Sequence, residues 1–481
     1  MHAEVTEALF ALQQTLDELV VRGLKATGPD DLARLTSIGD EFGRAGAAYV
    51  AEHVQTLVRH VRGDEKGSAR ALLRTQTVLR VFERVLSIDA AILALGPGEP
   101  MAPAAVTLPA VATGDRKALV PILEELARTV EGLIDAGLTT ASSATKQKLD
   151  ASFKEASRMK LLRLAASLRY VGDELARFLS DSEQFSARRL AMFANRSWLI
   201  TRGLLEAIRE NDGPALARLL LTSTPVPVKA LRLAVMGAQK RALLDGSAAF
   251  EFRMMTLDEQ PGVPKGTRLI WSCVFGAKKN VPPEAFPHLP QPQKFLPKLL
   301  LDATEILIAD AAVTVDEHGY GRVMLGPKST VKPGKVFRGW SELLSWDREA
   351  AVKRLRTHRV SPLDLEVELQ VEVVIPEWEL GAPEPNPFRP EQLVFPLTAG
   401  PLALDVVCSM GAEARDLTES LRAFGKPRAK RPPLFGVMHV EMGRLVLQPL
   451  TVFGADGPNY LMISEENIDL ASLMKTLDFT S

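Results

Sequence analysis

Over the nine residues 365–373 the chain alternates without a break. Leu365, Val367, Leu369, Val371 and Val373 are apolar, and Glu366, Glu368, Gln370 and Glu372 between them are polar. Side chains along a strand point to opposite faces in turn, so this spacing predicts a half-buried β-strand over 365–375 with one face on a core and the other toward water or a charged partner. The first half of the chain follows a different period. Leu9, Leu12, Leu16, Leu19 and Val20 recur at helical spacing, and further helices are predicted over 31–42, 45–61 and 68–92. Gly96, Pro97, Gly98, Pro100 and Pro103 then break the pattern, which predicts a linker over 96–118 before helix resumes at Leu119. Helical spacing also runs through 214–244.

The helical half carries its pattern twice. Thr15, Leu16, Asp17, Leu19, Val20, Gly23 and Leu24 match Thr129, Val130, Glu131, Leu133, Ile134, Gly137 and Leu138 at an offset of 114. Ser68, Ala69, Arg70 and Leu72 match Ser186, Ala187, Arg188 and Leu190 at an offset of 118, as do Arg84 and Leu86 with Arg202 and Leu204. Repetition of this kind predicts one helical group over 1–95 and a second, with following helices, over 119–246. From 247 to 481 the period changes to that of strands. Phe250, Phe252 and Met254 alternate with Glu251 and Arg253, and 268–275, 392–397 and 402–408 read as strands. Hairpins are predicted at 305–325, around Asp316, Glu317, His318 and Gly319, and at 435–453. Helices are expected over 340–357, 412–424 and 465–477, and proline-dense loops over 281–292 and 380–390. The fold class is therefore α followed by α+β: a duplicated helical array, then a mostly antiparallel sheet domain with a few helices.

Composition narrows the functional classes. A chain of 481 residues exceeds one ordinary core. With 58 basic and 59 acidic residues, no global field favours nucleic acid or an anionic membrane, so only local patches could. Cys273 and Cys408 are the only cysteines; each sits in an apolar strand pattern, and both are expected to be unpaired core thiols of a reducing compartment. The start of the chain lacks a basic segment followed by an apolar run, and no stretch is apolar for a membrane span's length, so the expected location is cytoplasmic.

Few chemistries find their residues. His53 and His60 share a helix face with Glu52, but zinc needs three or four convergent ligands and no third lies near. His318 beside Asp316 and Glu317 reads as a polar turn. The stretch 321–329 has the glycines of a phosphate loop, but Pro327 separates Gly326 from Lys328 and no helix is predicted to follow. Ser143 and Lys146 have a hydrolase spacing without its companion motifs. No catalytic, cofactor or metal residue is assigned. Two charged groups remain as partner-binding candidates: the acidic face Glu366, Glu368 and Glu372, and the basic loop Lys426, Arg428, Lys430 and Arg431, which could meet each other or a partner. No aromatic residue interleaves that loop, so base stacking is not indicated.

The helical block at 68–86 and the pattern at 441–452 resemble the non-finger regions of bacterial SWIM-type zinc-finger-associated proteins. The resemblance implies membership of a multi-protein bacterial system. The Cys-x-Cys and Cys-x-His pairs of the finger are missing, so it implies no metal or DNA role. The resulting reading is a non-enzymatic interaction or scaffold component with protein partners and no cofactor. The alternatives are a hydrolase or nucleotide-dependent enzyme with its site between the helical and sheet domains, and a nucleic-acid-associated subunit whose basic loop joins a wider positive face.

Overall fold

The structure is a computed structural model. It describes residues 2–63, 67–95, 118–220, 225–243, 247–278, 281–315, 320–343, 348–358, 360–363, 370–387, 389–400, 402–409, 415–424, 431–441 and 444–463. The chain divides into two compact units. One comprises Met1–Ala94, Glu99–Thr222 and Lys353–Glu368; the other comprises Leu95–Gly98, Ser223–Val352 and Leu369–Ser481. Among the described residues no helix is long and apolar enough to cross a membrane.

In the first unit, α1 (His2–Arg22) stops at Gly23, and a 3-10 turn at Leu24–Ala26 leads into α2 (Pro29–Arg44), α3 (Ala48–Arg62) and α4 (Ser68–Leu95). The series then recurs: α5 (Val120–Ala136), a 3-10 turn at Leu138–Thr140, α6 (Ser143–Arg158), α7 (Leu162–Leu179) and α8 (Ala187–Arg209), with α9 (Gly213–Leu220) appended. Residues offset by 114 fall on equivalent helices through α3 and α7, and residues offset by 118 do so on α4 and α8. The local chemistry recurs too. Asp31 accepts from the Gly28 N–H at the start of α2, and its counterpart Thr145 accepts from the Ser142 N–H at the start of α6, so each helix entry is closed by a side chain three residues in.

The two groups meet through their own equivalent positions. Gly23 and Gly137, both at positive φ (87° and 75°), lie back to back; a Cβ on Gly23 would fall 2.5 Å from the Ala136 carbonyl carbon and 2.6 Å from the Gly137 nitrogen. Further along, Asn195 Nδ2 donates to Thr77 Oγ1 at 3.1 Å, and these residues are also counterparts. Residues that touch their own counterparts lie on a two-fold axis, so the repeats are related by a pseudo-dyad. Arg70 reaches Glu131 across it at 2.9 Å, while the counterpart of that pair sets Arg188 against Asp17.

The second unit holds two barrels of one strand order. In the first, β1 (Val226–Ala242), β2 (Ala248–Thr256), β3 (Arg268–Phe275), β4 (Glu305–Val315) and β5 (Tyr320–Pro333) close as β1-β2-β3-β5-β4, with β3 and β5 parallel and α10 (Lys298–Asp302) between β3 and β4. This is the Greek-key arrangement of the OB fold. After α11 (Trp340–Leu343) and α12 (Arg348–Thr357), the second sheet runs β6 (Val371–Ile375), β11 (Leu434–Glu441), β12 (Arg444–Gly454), β10 (Leu402–Ser409), β9 (Arg389–Ala399), β7 (Glu379–Leu380). The short strands β8 (Glu384–Asn386) and β13 (Gly457–Tyr460) pair beside β9 and β12. Because β6 and β7 are successive pieces of one bent segment, it borders both ends of the sheet and completes the same ring. Here too the third and fifth strands, β10 and β12, are parallel, with α13 (Arg415–Phe424) between β10 and β11. The barrels pack through Met236, Met255, Phe435, Leu450 and Trp340, whose ring stacks on Phe453 at 4.5 Å.

Several expectations are corrected. Residues 226–242 form β1, where helical spacing predicted helix: Leu231, Leu233 and Val235 fill the first barrel while Ala234 and Met236 pack on the second, so burial on both faces erases the alternation of a half-buried strand. Of the helix predicted over 340–357, the described residues form α11 and α12, and 344–347 lie outside them. The loop at 281–292 contains a 3-10 helix at Pro283–His288, and the loop at 380–390 contains β8. Of the strand predicted over 365–375, Gln370 and β6 lie within the described residues, and Glu372 on its polar face is buried. Residues 316–319 and 465–477 lie outside the described residues.

Candidate nucleic-acid interface

From Tyr320 to Ser341 the chain contains five cations, Arg322, Lys328, Lys332, Lys335 and Arg338, and no carboxylate. Inward residues Val323 and Val331 belong to the first barrel's core, which fixes the strand and turns Arg322 and Lys332 outward; all five cations are exposed. A bulge interrupts the ladder between Ala309 and Ala311. Beside it, Ser329 Oγ donates to the Asp310 carbonyl at 2.5 Å and accepts from the Gly326 N–H at 2.8 Å, holding the Lys328 turn.

Asp310 is an exposed carboxylate at the bulge beside Lys328, while the neighbours toward the two ends of the ridge are apolar or neutralised. Across the ladder, Lys332 faces the partly exposed Leu307, and beyond it lies Arg232. Arg232 holds both Glu305 (3.0 Å) and Asp258 (3.1 Å), so the carboxylates nearest that end are already paired. At the other end, Arg322 stands between Thr314 and Ile270, and the Arg268 guanidinium lies 4.7 Å over the Tyr320 ring. Four residues of strand span about 13 Å, so Lys328 and Lys332 are spaced for separate phosphates along a backbone. The ridge can hold anions at a rigid surface but offers no general acid, nucleophile or metal set. Among the described residues no three His, Cys, Asp or Glu converge.

The stretch 321–329 is thus part of β5 and no phosphate loop. Gly321 is there because a Cβ would run into the Thr314 carbonyl. The cations on and beyond this strand were missed by motif reading, although the absence of any acid from 320 to 341 is visible in the sequence and would have found them.

The predicted partner-binding residues fare differently. Glu366, Glu368, Lys426, Arg428 and Lys430 lie outside the described residues. Glu372 is buried and one of its carboxylate oxygens is engaged: Arg253 Nη1 donates to Oε1 at 2.9 Å between the barrels, and the Glu372 backbone N–H donates to the Tyr320 hydroxyl. Burial pulls the Arg253 guanidinium's pKa down, but Glu372 and Glu251 outweigh it and hold the pKa above its ordinary value. Arg431 lies 4.9 Å over the Trp378 ring rather than against the acidic strand. His53 and His60 do share a face of α3, each with Nδ1 2.9 Å from the carbonyl four residues back. Ser143 begins α6, and Lys146 pairs with Asp150 at 2.8 Å. Cys273 and Cys408 are free, buried thiols on the third strands of their barrels; burial pushes their pKa up to about 12 and about 11.

No family model and no curated protein matches the chain. Among solved structures it is similar to the Ifi202 HINa domain in complex with 20-base-pair double-stranded DNA, at 10% identity and a TM-score of 0.24, over 49% of this chain and 97% of that one. It is similar as well to p202 HIN1 in complex with 12-mer double-stranded DNA, at 12% identity and a TM-score of 0.23, over 47% of this chain and 92% of that one.

Proposed function

We propose that the tandem-barrel unit binds nucleic acid through its phosphate backbone. The acid-free run of five exposed cations on and beyond β5 carries this reading. Barrels of this order use their outer surfaces to hold oligonucleotides or oligosaccharides, which sets the ligand class by analogy of fold, while the cations select the anionic one. With no base-reading group in the row, binding is independent of sequence. The test is fluorescence anisotropy of labelled single- and double-stranded oligonucleotides against the full chain at low and physiological salt. Reversal of Lys328 and Lys332 to Glu should weaken binding roughly tenfold or more and reduce the salt slope by about two. Unchanged affinity in that variant, or no binding at low salt, defeats the reading.

A further inference from the structure

Within the helical unit, the outer face of α7 and α8 is occupied by the chain itself. Arg196 Nε donates to the Leu363 carbonyl at 3.0 Å, Arg163 Nη2 reaches the same oxygen at 3.4 Å, and the Leu363 side chain is buried. The occupant is the stretch Val360, Ser361, Pro362, Leu363, which turns at Pro362 and Leu363 as the Leu363 N–H donates to Ser361 Oγ at 3.2 Å. By the repeat offsets, Arg163 corresponds to Tyr49 (163 − 114) and Arg196 to Val78 (196 − 118). Both of those residues line an open cleft of about 840 Å³ in the first repeat, walled by α3, α4 and the second half of α8. One copy of the groove is filled by a peptide segment, and its pseudo-symmetric copy stands empty.

The empty copy has its own chemistry. Tyr49 is 65% exposed and its ring lies 4.5 Å from that of His53. Trp198 lines the cleft as a buried aromatic, oriented by its Nε1 donating to Glu131 at 2.9 Å. Arg74 and Arg202 also line it and have no ion-pair partner among the described residues. Aromatic surfaces suit a proline ring and an aliphatic side chain, and guanidiniums suit the carbonyl oxygens of a peptide turn, as Arg163 and Arg196 show on Leu363. A second hollow of about 300 Å³ shares His53 and Arg74 with the cleft and lengthens the track along α3 and α4.

We infer that this cleft docks a proline-containing turn of another protein, with an aliphatic anchor next to the proline, of the chemistry the chain itself places in the second repeat. The probe is a labelled synthetic peptide with the sequence of residues 358–365, titrated into the full-length protein by anisotropy. Saturable binding with a Kd between roughly 10 and 500 µM is expected, weakened about tenfold or more by Tyr49→Ala with Arg202→Ala, and lost when the peptide's leucine equivalent to Leu363 is replaced by aspartate. Both substituted side chains reach the surface, so the melting temperature should hold; should that double variant fail to fold, Arg74→Glu at an exposed position gives the same reading. Absence of saturable binding up to about 1 mM overturns the inference. So does binding that survives the cleft substitutions, since the peptide would then be exchanging with the internal segment of the second repeat.

Discussion

Asp17 and Glu131 are counterparts in the two helical repeats, and they meet different surroundings. Glu131 accepts from both Arg70 and Trp198, each at 2.9 Å. Asp17 is half-buried, and burial raises its pKa from 3.8 to about 7, although Arg188 pulls it back and Glu18 pushes it further up. Between those two values the folded protein keeps a proton that the unfolded chain has released. The folded state then binds more protons than the unfolded one, so stability falls as pH rises from about 4 to about 7 and levels off above. Asp17→Asn removes that titration. Its melting temperature relative to wild type should climb across this window, as read by thermal unfolding at stepped pH; a difference that stays flat with pH would contradict the assignment. Neither environment is legible from the sequence, which shows two similar residues at equal offsets. Glu372 makes a related point. Alternation correctly turns it away from its neighbours Val371 and Val373, but the surface it meets is the buried Arg253, because a polar face can be covered by a second barrel as well as by water.

Most strands were readable from alternation or from apolar runs bounded by turn signals; β1, buried on both faces over 233–239 and built of helix formers, was not. β3 and β10 alternate and were placed nearly to the residue, as was the hairpin β11–β12; β4 was placed as well, but β5 runs eight residues past the predicted end at 325. β1 carries Leu, Ala, Met, Lys and Arg, all good helix formers, and its burial on both sides removes the one signal that separates strand from helix at that composition. The register shift at Val235/Gly237 marks where the second barrel comes closest. A Cβ on Gly237 would lie 2.7 Å from Phe435 Cε1 and 3.3 Å from Leu450 Cβ, so this glycine is set by the approach of a neighbour. Gly237→Val should lower stability by about 1 to 3 kcal/mol through overpacking, measured by chemical denaturation, with Gly237→Ala less severe. A neutral valine variant would mean that Phe435 swings clear at no cost.

Among the described elements, two duplications account for nearly all: a helical group used twice and a five-stranded ring used twice. The first was legible because its residues still match at fixed offsets. The second was not, since the bent first strand of the second ring is split into β6 and β7 and the sequence-level patterns of the two rings do not align. The seam of the helical pair rests on Gly23 and Gly137. Alanine at either position meets both an unfavourable positive φ and the backbone opposite, so each single change should cost more than about 1 kcal/mol. The double change should cost clearly less than the sum, because both substitutions spoil the same approach. Additive costs in denaturation midpoints would show that the two glycines act separately. In a homodimer every residue on the axis must suit a copy of itself, and each substitution there is suffered twice. Joining the two halves in one chain lifts both constraints: Thr77 can meet Asn195, an alcohol against an amide, and either can change while the other stays. Fusion therefore lets a self-matched surface become a matched pair of unlike surfaces one substitution at a time, and frees the two outer grooves to diverge in the same way.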